Sequence, residues 1–237
     1  MASRTMKMIL LGGGEENIKT RILATERASL LAYLPMSDSV GSTAVRDYSG
    51  NGFDGTPTDI TFESLGLGKG IKSGSFNGTT SKVIADQAGL LSAINMAEGT
   101  LLIATKLSAA FWSDNTRRYL FSVYRDSTNQ VYCMKYTDNT LYFTYAGDGT
   151  YTEYNYTESS TDTLIYCVTW SKAADKFLVY KNGVLASTEL TGLGTMTGNA
   201  TVLNIGYLGT YFWSGLVGQF VLWSKPLTAL QISGIHL

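Results

Sequence analysis

The chain is poor in the residues on which most enzyme chemistry is built. It has one histidine, His236. A Ser-His-Asp or Cys-His arrangement would therefore have to be assembled at a chain end, where order is usually low. Charge of one sign is also missing. The 18 basic and 19 acidic residues leave a net −1 with no run of either sign, which excludes the field that draws a nucleic acid or an anionic membrane to a protein surface. The one basic pair, Arg117-Arg118, reads as a solvated loop. No stretch approaches the roughly 18 apolar residues of a membrane span. The apolar piece Met6–Leu11 is too short for a signal peptide, so synthesis in a cytoplasm without a leader is expected. Cysteine is scarce: Cys133 and Cys167 both fall in strand-like runs, where a thiol behaves as a small buried hydrophobe, and whether they pair stays open.

What is abundant points to β-structure. The 25 Gly and 15 Tyr, against 3 Pro, favour short aromatic and β-branched strands joined by Gly and Asn turns, with few helices. At 237 residues and 44% hydrophobic one sizeable core is expected. Fourteen strands are expected between Leu30 and Trp223, among them Leu30–Leu34, Thr56–Phe62, Lys82–Ala85, Leu164–Ser171 and Lys176–Lys181, a number that suits an antiparallel two-sheet sandwich. In Lys176–Lys181 both alternating sets, Phe177 with Val179 and Leu178 with Tyr180, are apolar, so that strand should be covered on both faces. Asn182-Gly183 and Asp138-Asn139 supply hairpin turns. Thr228–Ile235 reads as a short terminal helix and Leu90–Asn95 as a helical turn. Residues 1–28 differ in character: Ile18, Ile22 and Leu23 recur at helical spacing, and the segment is expected to be an N-terminal arm that docks on something, ahead of one domain at 29–237. The Gly12–Gly14 and Gly66–Gly70 stretches lack the remainder of a phosphate-binding fingerprint and read as turns.

Several short motifs recur in one order: Ala32-Tyr-Leu-Pro35, Asp47-Tyr-Ser-Gly-Asn-Gly-Phe-Asp-Gly-Thr56, Ser75-Phe-Asn-Gly-Thr79, Val168-Thr-Trp170, Tyr180-Lys-Asn-Gly183, Asn204-Ile-Gly206 and Trp213-Ser-Gly215 through Pro226-Leu-Thr228. Together they resemble the laminin-G-like (concanavalin A-like) family from about Leu30 to Leu237. The resemblance implies an all-β jelly-roll sandwich and a protein that binds instead of catalysing. Relatives often hold a structural calcium, to which Asp47, Asn51 and Asp54 could contribute oxygens here, but the late acidic ligand is missing, so a turn stabilised by Asx hydrogen bonds and no cofactor are expected. The chain departs from the family in having Thr105 where a tryptophan is common and Gly218-Gln219 where an acidic residue is. Some relatives with this sandwich are glycanases, which need two carboxylates across a cleft. Glu153 and Glu158 are the nearest pair here and read as exposed, so no enzyme is expected.

The positive signal for function is aromatic density. Tyr151, Tyr154, Tyr211 and Trp213 are the expected ligand-binding rings, since such side chains stack on sugar faces and also enrich protein interfaces. Two functions follow as expectations. One is a non-catalytic attachment protein of a larger assembly, such as a virion decoration or tail component at the particle surface. It would be a homo-oligomer held to other proteins by its arm. The other is a stand-alone lectin-like carbohydrate-binding module.

Overall fold

Turn residues that accept positive φ cut the chain into strands. Asn139 (φ 65°), Gly149 (φ 77°) and Gly183 (φ 80°) each sit at a hairpin turn, in the backbone region that glycine and asparagine reach most readily. The computed structural model describes residues 14–63, 66–68 and 70–235; His236, the Gly12-Gly13 turn and Lys69 lie outside them. Along the chain come α1 (Gly14–Ala24), β1 (Leu30–Leu34), β2 (Thr56–Thr58), β3 (Thr61–Glu63), β4 (Ser73–Asn77), β5 (Lys82–Ala85), α2 (Ala88–Ala93), β6 (Glu98–Lys106) and α3 (Ala109–Trp112). There follow β7 (Arg118–Asp126), β8 (Asn129–Lys135), β9 (Thr140–Gly147), β10 (Thr150–Thr157), β11 (Leu164–Ser171), β12 (Lys176–Lys181) and β13 (Val184–Leu185). The last elements are β14 (Val202–Ile205), β15 (Tyr207–Leu208), β16 (Tyr211–Phe212), β17 (Ser214–Trp223) and α4 (Ala229–Ser233).

These strands form two antiparallel sheets stacked as a jelly-roll sandwich. The first runs β13-β12-β11-β6-β17-β4-β3, with β1 also paired to β17, and the second runs β10-β9-β8-β7-β14-β5-β2. The expected strand over Thr56–Phe62 is two strands in different sheets. Asp59, at φ 50°, turns the chain from one sheet to the other between them. Leu34, Phe76, Ile103, Phe121, Phe143, Trp170 and Leu203, from both sheets, belong to one buried core.

A second buried cluster covers the outer face of the first sheet. There Tyr33, Leu102, Cys167, Tyr180 and Trp223 meet Ile18 and Ile22 of α1 and Ile232 of α4. This explains the doubly apolar β12. An 11-residue helix is marginal alone. Burying Ile18 and Ile22 contributes about 1.5–3 kcal/mol each, so α1 is held by the sheet on which it lies. A capping box, in which Thr228 and Gln231 exchange hydrogen bonds, starts α4. Cys133 lies in the core and Cys167 in the second cluster, both as free thiols.

Candidate functional site

Among the described residues the second sheet has no such cover. Its outer face carries Tyr119, Tyr132 and Met134, with Tyr142 and Leu208 against them, and opens into a groove of about 730 Å³, within the usual range of ligand sites. Strand pairing builds the floor. Ser122 on β7 faces Tyr132 on β8 and Asn204 on β14, and Asn204 faces Ile84 on β5. A bulge at Leu120 breaks the alternation of β7, because Tyr119 pairs with Met134 while Phe121 pairs with the adjacent Cys133. Tyr119 and Ser122, three residues apart, can therefore share the outer face.

Tyr151 and Ser127 line one side, and Tyr207, Leu208 and Gly209 of the β15–β16 hairpin line another. The rings of Tyr119 and Tyr132 lie 5.5 Å apart, and those of Tyr119 and Tyr211 lie 6.1 Å apart. The Asn204 side-chain amide donates to Ser122 Oγ at 3.0 Å, and Tyr151 donates its hydroxyl proton to the Ser127 carbonyl at 3.0 Å. Burial pushes the Tyr132 phenol up to about 12. It also raises that of Tyr119, against the opposing effect of the Arg117 guanidinium, so both phenols remain protonated donors at neutral pH. None of the described residues lining the groove is a carboxylate.

Tyr151, 52% exposed, lies where a ligand ring could stack, and Tyr211, 39% exposed, stands beside Tyr119. The other two expected rings lie elsewhere. Trp213 is fully buried: it stands where the chain leaves β16 for β17 and turns inward, its indole N–H donating to Thr105 Oγ1 at 3.2 Å and its ring 5.1 Å from Phe111. Tyr154 is half-buried against the core, because three residues along a strand from Tyr151 is an odd step and reverses the face. Glu158 is also buried, not exposed. Its carboxylate accepts from Lys181, Tyr156 and Tyr166. Glu153 accepts from Thr144 at 2.9 Å. The Arg117-Arg118 pair is no solvated loop either. Arg118 clamps Asp114 and the carbonyls of Gly78 and Phe212, and Arg117 lines the groove. Nothing in the sequence marks Tyr119, Tyr132 or Gln130 as groove residues, and Asn204 stands out there only within the Asn204-Ile-Gly206 motif.

The Asp47 loop does not fit a calcium ion. Asp47 Oδ1 accepts from the Tyr33 and Ser49 amides, and Oδ2 from Ser49 Oγ and the Phe53 amide. Asp54 Oδ1 accepts from the Asp47 amide, and the Asn51 side chain donates to the Leu30 and Leu31 carbonyls. Donors thus occupy both Asp47 oxygens and one oxygen of Asp54, which leaves few of the oxygens that a hard cation would need. Gln219, where the resemblance implied an acidic residue, is buried and accepts from the Tyr33 hydroxyl at 2.5 Å.

The family model described as the concanavalin A-like lectin/glucanases superfamily matches residues 92–233. No curated protein matches the sequence. Among solved structures, the receptor binding domain of botulinum neurotoxin C/D mosaic serotype is similar, with a TM-score of 0.68 and 12% identity over 87% of this chain and 50% of that one. The structure reported for botulinum neurotoxin type C, whose cell entry is described as dependent upon interaction with two ganglioside molecules, has a TM-score of 0.65 and 13% identity over 89% of this chain and 51% of that one. A third, the binding domain of botulinum neurotoxin DC in complex with rat synaptotagmin II, has a TM-score of 0.64 and 14% identity over 87% and 51%. The chain thus spans about half the length of these structures, and at such identities the likeness is one of fold.

Proposed function

We propose, from the premise that this chain belongs to the concanavalin A-like lectin/glucanases superfamily, that it is a non-catalytic module that binds a saccharide in the groove on the outer face of its second sheet. One observation carries this reading. The outer face of the first sheet is sealed by α1, α4 and the chain near Ile71, whereas among the described residues the opposite face presents clustered, mutually tilted tyrosines around a polar floor of Ser122, Gln130 and Asn204. Phenol rings offer flat apolar surface to a sugar ring and hydroxyls to its hydroxyls. Glycoside hydrolysis would need two carboxylates about 5 to 9.5 Å apart, and the groove lining has no carboxylate among the described residues.

Attachment is the role such a module would fill in a larger particle, a virion tail or decoration protein among them, and the type C neurotoxin's dependence on gangliosides is a precedent for adhesion on this fold. The described part of the arm, α1, lies on its own sheet, so docking to other proteins would fall to other surfaces. A glycan array, followed by affinity electrophoresis on the sugars it identifies, tests the reading. The parent chain should bind, and Tyr151→Ala should weaken binding about fivefold or more, the loss of one stacking ring. A parent chain that binds no saccharide would refute it.

A further inference from the structure

We propose that the groove selects a saccharide bearing a carboxylate, a sugar of the uronate or sialate class, and that Arg117 recognises that carboxylate. This deepens the reading above and rests on it. Neighbouring arginines make the case by contrast. Arg118 is saturated, with two nitrogens on Asp114 and a third on two backbone carbonyls. Arg117 takes part in none of the ion pairs among the described residues, which use Arg118, Arg125, Lys135, Lys176 and Lys181. Its guanidinium lies among three rings instead, 4.8 Å from that of Tyr211, 5.2 Å from Tyr119 and 5.5 Å from Tyr136. Nη2 donates to the Tyr119 hydroxyl at 2.5 Å, and the buried Nε has no partner. A guanidinium held against aromatic faces, with its buried Nε unpartnered, keeps donor capacity that a carboxylate entering the groove would take up.

A second unpartnered group points the same way. Gln130, 7% exposed, donates its amide N–H to the Ser127 carbonyl at 3.2 Å, which sets the orientation of the amide and leaves Oε1 buried without a donor. The groove therefore offers one charged donor for an anion and one neutral acceptor for a hydroxyl, the pair of functions that a sugar acid carries. A neutral sugar would serve Gln130 and leave Arg117 unmatched. None of the described lining residues is anionic, and the Glu153 carboxylate, which adds to burial in raising the Tyr132 phenol, is the acid acting on that ring. Lys82, its ammonium 4.8 Å from the centre of the Tyr207 ring, adds positive charge beside the groove.

The experiment is affinity electrophoresis and titration calorimetry on the full chain. The probes are polygalacturonate against its fully methyl-esterified form, sialyllactose against lactose, and dextran sulfate as an anion without carboxylates. At least one acidic member should bind about tenfold or more tighter than its neutral counterpart, the scale of one charge-assisted hydrogen bond, and the preference should shrink with added salt. Arg117→Gln should abolish the preference, read as the ratio of acidic to neutral affinity, and Arg117→Lys should keep only part of it. Should Arg117→Gln fail to fold, Arg117→Lys and the salt dependence of the parent decide. Equal binding of acidic and neutral members, still weakened by Tyr151→Ala, overturns the carboxylate preference and leaves the saccharide groove standing. Dextran sulfate bound more tightly than either carboxylated probe, or a preference that survives in Arg117→Gln, also overturns it. A parent that binds none of these saccharides refutes both readings.

Discussion

Replacing Asp114 by Asn should cost more than any other isosteric change near the groove, because it strands a buried cation. Lys135 on β8 has no exposed side-chain surface; its ammonium donates to Asp114 Oδ1 at 2.6 Å and to the Thr116 carbonyl at 3.1 Å. Asp114 Oδ2 takes Arg118 Nη2 at 2.7 Å and Nε at 3.0 Å. Asn keeps the shape and an acceptor for Lys135, but turns an N–H toward Arg118 and removes the only negative charge between two positive ones. Removing one partner of a buried pair costs about 3–5 kcal/mol. Asp114 is 24% exposed, which places the loss near 3 kcal/mol, or about 6–12 °C in Tm for a chain of this size. Urea denaturation followed by tryptophan fluorescence at pH 7 measures it. The sign of the pH dependence follows from the carboxyl. Burial alone would raise its pKa, but hydrogen bonds from Lys135 and Arg118 outweigh that and hold it below the usual range. The stabilisation is thus complete above the ordinary carboxylate pKa of about 4 and lost as pH falls through the lowered folded value. The gap between parent and Asp114→Asn should be flat from about pH 7 to pH 5 and narrow below about pH 4. Lys135→Met in the Asp114→Asn background should recover much of the loss. A gap under about 1 kcal/mol, or one that Lys135→Met does not reduce, would refute the account.

Trp213→Ala should destabilise by about 3–5 kcal/mol, since it empties a fully buried site and leaves Thr105 without its indole donor. Tyr151→Ala should stay within about 1 kcal/mol of the parent in the same denaturation assay, so two rings expected to act together separate into a core role and a surface role. Calcium titration from micromolar to millimolar, or excess EDTA, should leave the thermal midpoint unchanged. An upward shift with calcium would show that the Asp47 loop rearranges to release its oxygens, against the hydrogen bonding found there.

Much of the architecture can be read from local pattern. Leu30–Leu34, Lys82–Ala85, Leu164–Ser171 and Lys176–Lys181 are strands with the expected ends, because each is a run of apolar or β-branched residues bounded by turn formers. Two features escape such reading. The Asp59 turn between the sheets lies within an otherwise strand-like stretch and shows only in the positive φ that the tertiary pairing imposes. The β15–β16 hairpin joins two-residue strands, too short for any period to register. The Arg117-Arg118 pair looks solvated in sequence because burial of a cation depends on a partner at a distance, here Asp114 for Arg118 and three rings for Arg117.

The groove was illegible for a related reason. Strand alternation separates inside from outside only when one set is polar, and in β9 and β10 both sets carry aromatics: Tyr142 faces outward and Phe143 inward, Tyr151 outward and Tyr154 inward. Density of tyrosine therefore marks the region without saying which rings share a face. The bulge at Leu120 adds a second obstacle. By simple alternation Tyr119 would share a face with Phe121, which is in the core; the extra residue returns Tyr119 to the outer face, beside Tyr132 and beneath Arg117. Deleting that residue would restore regular pairing between β7 and β8 with Tyr119 still opposite Met134 and facing outward, whereas pairing the full-length strand without a bulge would turn Tyr119 inward. The groove's tyrosine wall thus depends on an irregularity that carries no signature in residue type, and the side chains that form its floor become visible only once the register of β7, β8 and β14 is known.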